Sequence, residues 1–149
     1  MIGQHLKLFE FLNKKKVEYL LIGGTLAIAY GVPRVTKDID LFLNPTLDNA
    51  NALLEALKDF GMSTVDLTNP KDICSTEVTI FKDFIRLDIL TKVKGLDFGE
   101  AWRNRVYLSL QHIDIPAIRL EDLIKTKKAA NRPQDHEDIK ILEMAQKQK

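Results

Sequence analysis

The chain has 149 residues, 45% hydrophobic and 29% charged, a length and balance typical of one globular domain with a sizeable core. The net charge of +1 gives no overall attraction to nucleic acid, although a local basic patch stays open. No apolar run could cross a bilayer, and one cysteine excludes an internal disulfide and suits a reducing compartment. The N-terminus MIGQHLKLFEFLNKKK lacks a signal-peptide layout, because its lysines follow the apolar residues. We therefore predict a cytoplasmic protein with no membrane segment.

The first half of the chain predicts three helices and two strands. Apolar residues at helical spacing indicate an amphipathic helix over residues 3–15. A short buried strand, VEYLLI (17–22), stops at two glycines and is followed by a helix over 25–31. DIDLFL (38–43) is the second strand. The segment 45–61, with proline near its start and glycine at its end, carries the third helix.

The second half predicts further strands before the C-terminal segment. STEVTIF (75–81) and FIRLDIL (84–90) form a hairpin around the intervening Lys-Asp pair. RVYLSL (105–110) and IDIPAIRL (113–120) are two more strands. Helices and strands therefore mix along the chain, with hairpins late in the sheet. This order predicts an α/β (α+β) fold with a twisted mixed sheet, and not a doubly wound parallel sheet.

The tail predicts two helices, over 120–130 and 133–148, separated by Asn131-Arg132-Pro133. We predict one domain, 1–149, with a core over about 17–118 and a C-terminal helical segment over about 120–147.

The double glycine after the first strand is the first candidate site. Gly23 and Gly24 allow a sharp strand-to-helix turn and close approach of a ligand to the backbone. The following helix offers unpaired N–H groups to phosphate, and Thr25 could add a hydroxyl donor. The alternative is a tight turn where two elements pack.

An aspartate pair on the second strand is the next candidate. Side chains at i and i+2 of a strand share a face, so Asp38 and Asp40 converge while Ile39 and Leu41 face the core. Two converging carboxylates repel each other and need either open solvent or a cation. Oxygen ligands suit Mg²⁺ or Mn²⁺ and not zinc. The alternative is a solvated strand end with two capping aspartates.

A third carboxylate, Asp88, lies among apolar residues in IRLDILT. A buried unpaired carboxylate is unfavourable, so Asp88 needs a partner. Arg86, two residues earlier on the same strand face, could form an internal ion pair with it. Alternatively, Asp88 lies beside Asp38 and Asp40, and the three hold two divalent ions that activate an attacking oxygen and bind a triphosphate.

Basic residues near these carboxylates could contact phosphate. Arg34, Thr36 and Lys37 precede the aspartate pair, and a loop with arginine and lysine beside a metal site suits phosphate. The alternative is ordinary surface charge. A second basic cluster lies in the tail, where a solvated helix face is the default interpretation. That cluster comprises Lys125, Lys127, Lys128 and Arg132.

Together these motifs resemble the nucleotidyltransferase superfamily that includes DNA polymerase beta. Its pattern is a hydrophobic residue, Gly, then Gly or Ser, a spacer helix, Asp-x-Asp on a strand, and a carboxylate on a later strand. The segments IGG, RVTKDIDLFL and RLDIL carry the resemblance. The matching positions are Gly23, Gly24, Asp38, Asp40 and Asp88.

Within that superfamily the chain is most similar to the AbiEii-type abortive-infection nucleotidyltransferases and their small bacterial relatives. Arg34 and Thr36 match that group in the arrangement Arg-x-Thr-x-Asp-Ile-Asp. The tail resembles the group's helical segment, in which a lysine precedes Arg-x-x-Asp; Lys127, Arg132 and Asp135 are the matching positions. The larger toxins carry further C-terminal substrate-binding structure, which leaves the acceptor open.

The resemblance implies an enzyme that moves a nucleoside monophosphate from an NTP to an acceptor hydroxyl and releases pyrophosphate. It implies Mg²⁺ or Mn²⁺ as cofactor, and as acceptor RNA or tRNA, a protein or a small molecule. A partner in a toxin–antitoxin or abortive-infection system is also implied.

The resemblance also gives roles to residues. The metal-binding and catalytic residues are Asp38, Asp40 and Asp88. The triphosphate contacts are Gly23, Gly24, Thr25 and, more weakly, Lys127. Two other classes stay open: a non-catalytic module that binds a nucleotide or a partner, and an antibiotic-type nucleotidyltransferase acting on small molecules.

Overall fold

A computed structural model describes residues 3–148, which form seven α-helices, one 3-10 helix and six β-strands. The helices are α1 (Gly3–Lys14), α2 (Gly23–Ala29), α3 (Leu47–Phe60), α4 (Pro70–Ser75), α5 (Phe98–Arg103), α6 (Leu120–Ala130) and α7 (Pro133–Lys147). The strands are β1 (Tyr19–Ile22), β2 (Asp38–Leu43), β3 (Val78–Lys82), β4 (Arg86–Leu90), β5 (Val106–Leu110) and β6 (Ile113–Ala117). The 3-10 helix covers Ser63–Leu67.

The strands form one mixed sheet in the order β3-β4-β2-β1-β6-β5. Strand pairs β1–β2, β3–β4 and β5–β6 are antiparallel, whereas β2–β4 and β1–β6 are parallel. All four residues of β1 are buried, as expected for a central strand. The mixed α/β fold with two C-terminal helices is therefore confirmed.

Helix α3 shows why the longer elements were predictable. Its N-cap Thr46 accepts a hydrogen bond from the backbone N–H of Asn49. Its buried stripe, which includes Leu53 and Leu57, packs on the core. Gly61 ends the helix at φ 104°, a left-handed conformation that is unfavourable for residues other than glycine.

Two short helices, α4 and α5, were not predicted from the sequence. Each has six residues, which is too short for a helical apolar period to be recognised. Asn69 caps α4 by accepting from the N–H of Asp72, and Asp97 caps α5 by accepting from the N–H of Glu100. These Asx caps are the local signal that could have revealed both helices.

The C-terminal helices meet at a tight junction. Asn131 adopts φ 51° and ends α6, and Pro133 occupies the first turn of α7. Between them the side chain of Asp135 accepts from the backbone N–H of Arg132. The predicted two-helix tail is thus present, folded back on the molecule. Within residues 3–148 no helix is both long and apolar enough to span a bilayer.

Candidate functional site

Strands β2 and β4 bring the three predicted carboxylates to one face of the sheet. The strands are parallel neighbours, and their register places Asp40 opposite Asp88 and Asp38 opposite Arg86. Neighbouring strands lie about 4.8 Å apart, so these side chains are in direct reach of one another. On the other face, Ile39 is fully buried in the core. The same-face arrangement predicted for Asp38 and Asp40 is present, with Asp88 beside it.

Arg86 lies among these carboxylates. Its Nε is 3.1 Å from Asp88 Oδ1 and 3.8 Å from Asp38 Oδ2, and its Nη2 donates to Asp88 Oδ2 at 3.4 Å. The Arg86 side chain keeps 40% of its exposed area, whereas Asp88 keeps 17%. The two interpretations of Asp88 are therefore compatible in this structure: it pairs with Arg86 and also lies in the carboxylate cluster.

The environment of Asp40 favours its protonated form. Burial, followed by the charges of Asp88 and Asp38 and a hydrogen bond with Asp88, raises the pKa of Asp40 from 3.8 to about 6. In the protein without metal, Asp40 and Asp88 thus share a site where two negative charges repel. A divalent cation would remove that repulsion, and carboxylate oxygens are ligands that Mg²⁺ and Mn²⁺ accept.

In their present conformations, the side chains of the cluster do not form a complete metal-binding site. Within residues 3–148, no three His, Cys, Asp or Glu side chains already form a group that could hold a metal ion. We infer that Arg86 prevents the three carboxylates from forming such a group, because it binds the oxygens of Asp88 and approaches Asp38. The donor types fit a divalent ion, and that ion would compete with the guanidinium for Asp88.

We predict that Asp40→Asn stabilises the metal-free protein. A carboxyl group whose pKa is raised in the folded state stabilises it below about pH 4 and loses that contribution as pH rises through about 6. The variant should therefore match the wild type near pH 4 and exceed it by roughly 2 kcal/mol above pH 6.5. Urea unfolding across this pH range, with chelator present, measures the difference. A constant difference at all pH values would contradict the prediction.

Thr25 and Thr36, two predicted phosphate contacts, hydrogen-bond to the main chain of the aspartate strand. The Thr25 hydroxyl donates to the carbonyl oxygen of Asp38 at 2.8 Å, and the backbone N–H of Asp38 donates to Thr36 Oγ1 at 3.3 Å. A methyl group added at Gly24 would meet only the Thr36 side chain, with Cγ2 nearest at 3.6 Å. These residues surround the start of β2, and Gly24, Thr25 and Thr36 do not line the cavity that opens above the three carboxylates.

Arg34 and Lys127 are engaged in an ion network at the C-terminal helices. Arg34 makes two hydrogen bonds to Asp138, at 2.8 and 2.9 Å. Lys127 Nζ lies 3.0 Å from Asp138 and 3.6 Å from Asp135. Arg132 binds Asp135 through Nε at 2.9 Å. The network joins the loop before β2 to both C-terminal helices.

Burial is deepest at the acidic members of this network. Asp135 and Asp138 are 0% and 1% exposed, and Lys127 is also buried. Burial alone would raise the pKa of Asp135, but hydrogen bonds from Arg132 outweigh it and leave that pKa below its ordinary value. The sequence signal was the Arg-x-x-Asp spacing in the tail; the contact with Arg34 spans 104 residues and had no local signal.

A cavity of about 460 Å³ opens above the carboxylates. Asp38, Asp40 and Asp88 form its acidic part. Its apolar lining comes from the residues Ile22, Val78, Leu90, Val93, Leu123 and Ala130. Its cations are Lys92, Lys94, Lys127 and Arg132. Acidic, apolar and cationic surfaces together suit a ligand that carries phosphates, an apolar ring and a metal ion.

Lys92 and Lys94 were missed from the sequence. They follow β4 in the segment TKVK, and alternate lysines after a strand are typical of a solvent-exposed loop. Lys92 lies 3.8 Å from Glu77 in an exposed pair. Lys127 and Arg132 are already bound to carboxylates, so the two loop lysines are the most available cations of the cavity lining.

The fold and the carboxylate cluster define a class of protein. A solved structure of a Thermotoga maritima protein, proposed to be a nucleotidyltransferase, matches with a TM-score of 0.58. The match covers 90% of this chain and 86% of that chain at 20% sequence identity, which shows a shared nucleotidyltransferase fold. The chain belongs to the family described as "Nucleotidyl transferase of unknown function (DUF2204)", whose model matches residues 3–149. No curated protein matches the chain.

Proposed function

We propose that the protein is a metal-dependent nucleotidyltransferase that moves a nucleoside monophosphate from an NTP to an acceptor hydroxyl. The observation that carries this proposal is the register of β2 and β4, which places Asp40 opposite Asp88 and next but one to Asp38. Family membership and the shared fold support the reaction class.

The chemistry follows from what these side chains can do. Asp38, Asp40 and Asp88 would hold divalent ions, Mg²⁺ or Mn²⁺, when these are bound. Such ions supply charge neutralisation for the triphosphate and polarise the reacting oxygens. The acceptor oxygen forms a bond to the α-phosphorus as the bond from that phosphorus to pyrophosphate breaks. A carboxylate of the cluster accepts the hydroxyl proton.

The cavity supports a division of the nucleotide between its surfaces. Leu123 and Ala130 on α6 offer an apolar wall for the base, and Lys92 and Lys94 offer ammonium groups to the outer phosphates. Gly23 and Gly24 lie at the strand-to-helix turn beside this space. A volume of about 460 Å³ suits a single small ligand, so the acceptor approaches from the open side.

We extend the proposal to an acceptor and a context. The similarity of the Arg-x-Thr-x-Asp-Ile-Asp segment and of the tail to AbiEii-type enzymes favours an RNA, tRNA or protein acceptor in the cytoplasm. The same similarity supports a role as the toxin or antitoxin part of a toxin–antitoxin or abortive-infection system.

The proposal is tested by calorimetry and by label transfer. We expect the protein to bind Mn²⁺ and an NTP, and the double variant Asp38→Asn/Asp40→Asn to lose Mn²⁺ binding. Glu137→Gln, which neutralises an exposed carboxylate outside the cavity lining, is the matched control. Intact Mn²⁺ binding by the double variant would overturn the metal assignment.

Label transfer then separates the acceptors. NTPs labelled in the α-phosphate are incubated with Mg²⁺ and total RNA, a co-encoded protein or a small-molecule extract. Label in one fraction identifies the acceptor class. Nucleotide binding without transfer to any fraction would instead support a non-catalytic binding module.

A further inference from the structure

Gly23 adjoins the Asp40 carboxylate of the cluster, with no space between them for a side chain. It follows Ile22, which lies opposite Asp40 in the antiparallel pairing of β1 and β2. A β-carbon built on Gly23 would overlap Asp40 Oδ2 and lie 2.9 Å from both Asp40 Cβ and Asp40 Cγ. Real β-carbons essentially never approach other heavy atoms so closely, so the Asp40 carboxylate occupies the space that a side chain at position 23 would need.

We propose that Gly23 is a positioning residue for Asp40: its missing side chain lets this carboxylate stand beside Asp88. The inference rests on the proposed function, because it concerns the placing of a metal ligand. The role proposed for Gly23 is then to leave space for the Asp40 side chain, whereas the sequence predicted a triphosphate contact. The glycine and the Asp-x-Asp motif, which are well separated in the sequence, then act as one unit.

The backbone supports the same conclusion. Gly23 has φ +73°, in the left-handed region that favours glycine. This conformation turns the chain directly from β1 into α2 and brings its α-carbon against the Asp40 side chain. An alanine here would be strained, and its methyl group would drive Asp40 to another rotamer, away from Asp88.

Neighbouring glycines show that the contact is specific to position 23. The space at Gly24 admits a methyl group at 3.6 Å from Thr36. Gly31 also has a positive φ, +114°, but a methyl group there would meet nothing within 4 Å. Gly31→Ala therefore reports backbone strain alone, and it is the matched control for Gly23→Ala.

The test compares Mn²⁺ binding by wild type, Gly23→Ala and Gly31→Ala, measured by electron paramagnetic resonance without nucleotide. We expect Gly23→Ala to bind Mn²⁺ at least about tenfold more weakly than wild type, and Gly31→Ala to bind it equally well. Folding of each variant is checked by thermal melting. A folded Gly23→Ala protein with wild-type Mn²⁺ affinity would overturn the inference.

A double-mutant cycle on the metal-free protein tests the contact independently of metal. The melting temperature is measured for Gly23→Ala in the wild-type background and in an Asp40→Ala background, which removes the overlapping carboxylate and keeps the Asp40 β-carbon at 2.9 Å from the added methyl group. We expect Gly23→Ala to lower the melting temperature at most half as much in the Asp40→Ala background as in the wild-type background. Equal decreases would overturn the inference. Failure of Gly23→Ala to fold except in that background would support it.

The two experiments also separate this inference from the proposed function. If wild type binds no Mn²⁺, the metal assignment fails, and the cycle still decides whether Gly23 makes room for Asp40. If wild type binds Mn²⁺ and the cycle shows no coupling, the proposed function stands without this role for Gly23.

Discussion

Asp88→Asn is expected to lower nucleotide transfer by about a thousandfold while the fold remains intact. Asparagine keeps the shape of the side chain and one oxygen, but it loses the negative charge that a divalent ion needs. A thousandfold loss corresponds to about 4 kcal/mol of transition-state stabilisation, within the range of removing one metal ligand or acid–base group. The measurement is single-turnover transfer at saturating NTP.

The structure favours a chemical over a structural effect of this change. Asp88 lines the cavity and pairs with Arg86, whose side chain is 40% exposed and can turn to solvent. Because the guanidinium of this half-buried pair is partly exposed, we expect the pair to contribute about 1 kcal/mol to stability. Glu137→Gln neutralises an exposed carboxylate on α7 outside the cavity lining and should leave transfer unchanged. A transfer rate of Asp88→Asn within a few-fold of wild type would remove Asp88 from the mechanism.

The fold was predictable where local rules act alone. The helix over 45–61 was found because its cap, apolar stripe and terminal glycine all agree. The aspartate strand was found because alternation of side chains along a strand is a fixed geometry. Helices α4 and α5 were missed because six residues give too little periodicity, and their single Asx caps also occur in turns.

The site was predictable as a set of residues but not as an arrangement. Nothing local fixes β4 as the parallel neighbour of β2, and only that register sets Asp88 opposite Asp40. Arg34 was predicted to contact phosphate. In the structure its guanidinium binds Asp138, a carboxylate 104 residues later, and no local sequence pattern shows such a contact. Ion pairs between distant segments are decided by the packing of whole helices. The roles of the site residues stay predictions until the variants are measured.

The carboxylate cluster and the ion network differ in whether each buried carboxylate is paired with a cation. In the cluster, burial and like charges raise the pKa of Asp40, so the metal-free fold carries an unfavourable group at neutral pH. In the network, each buried acid has at least one cation within hydrogen-bond distance. A site that destabilises the fold is expected where a ligand supplies the missing charge, whereas a fully paired network is expected to hold structure.

The network therefore gives the largest expected effect on stability. Asp138→Asn should lower the free energy of unfolding by about 3 kcal/mol, because removing one partner of a buried ion pair leaves the other charge uncompensated. Asp138 is 1% exposed and binds two cations, Arg34 at 2.8 Å and Lys127 at 3.0 Å. Lys127 would keep only Asp135, at 3.6 Å. For a protein of this size the melting temperature should fall by about 6 to 12 °C.

Glu143→Gln on the same helix is the matched control for Asp138→Asn. Glu143 pairs with Lys128 at 3.4 Å with both side chains exposed, so its loss should change stability by less than about 0.5 kcal/mol. Urea unfolding and thermal melting of both variants give the comparison. Equal stability of the two variants would show that the network does not hold α7 against the loop before β2.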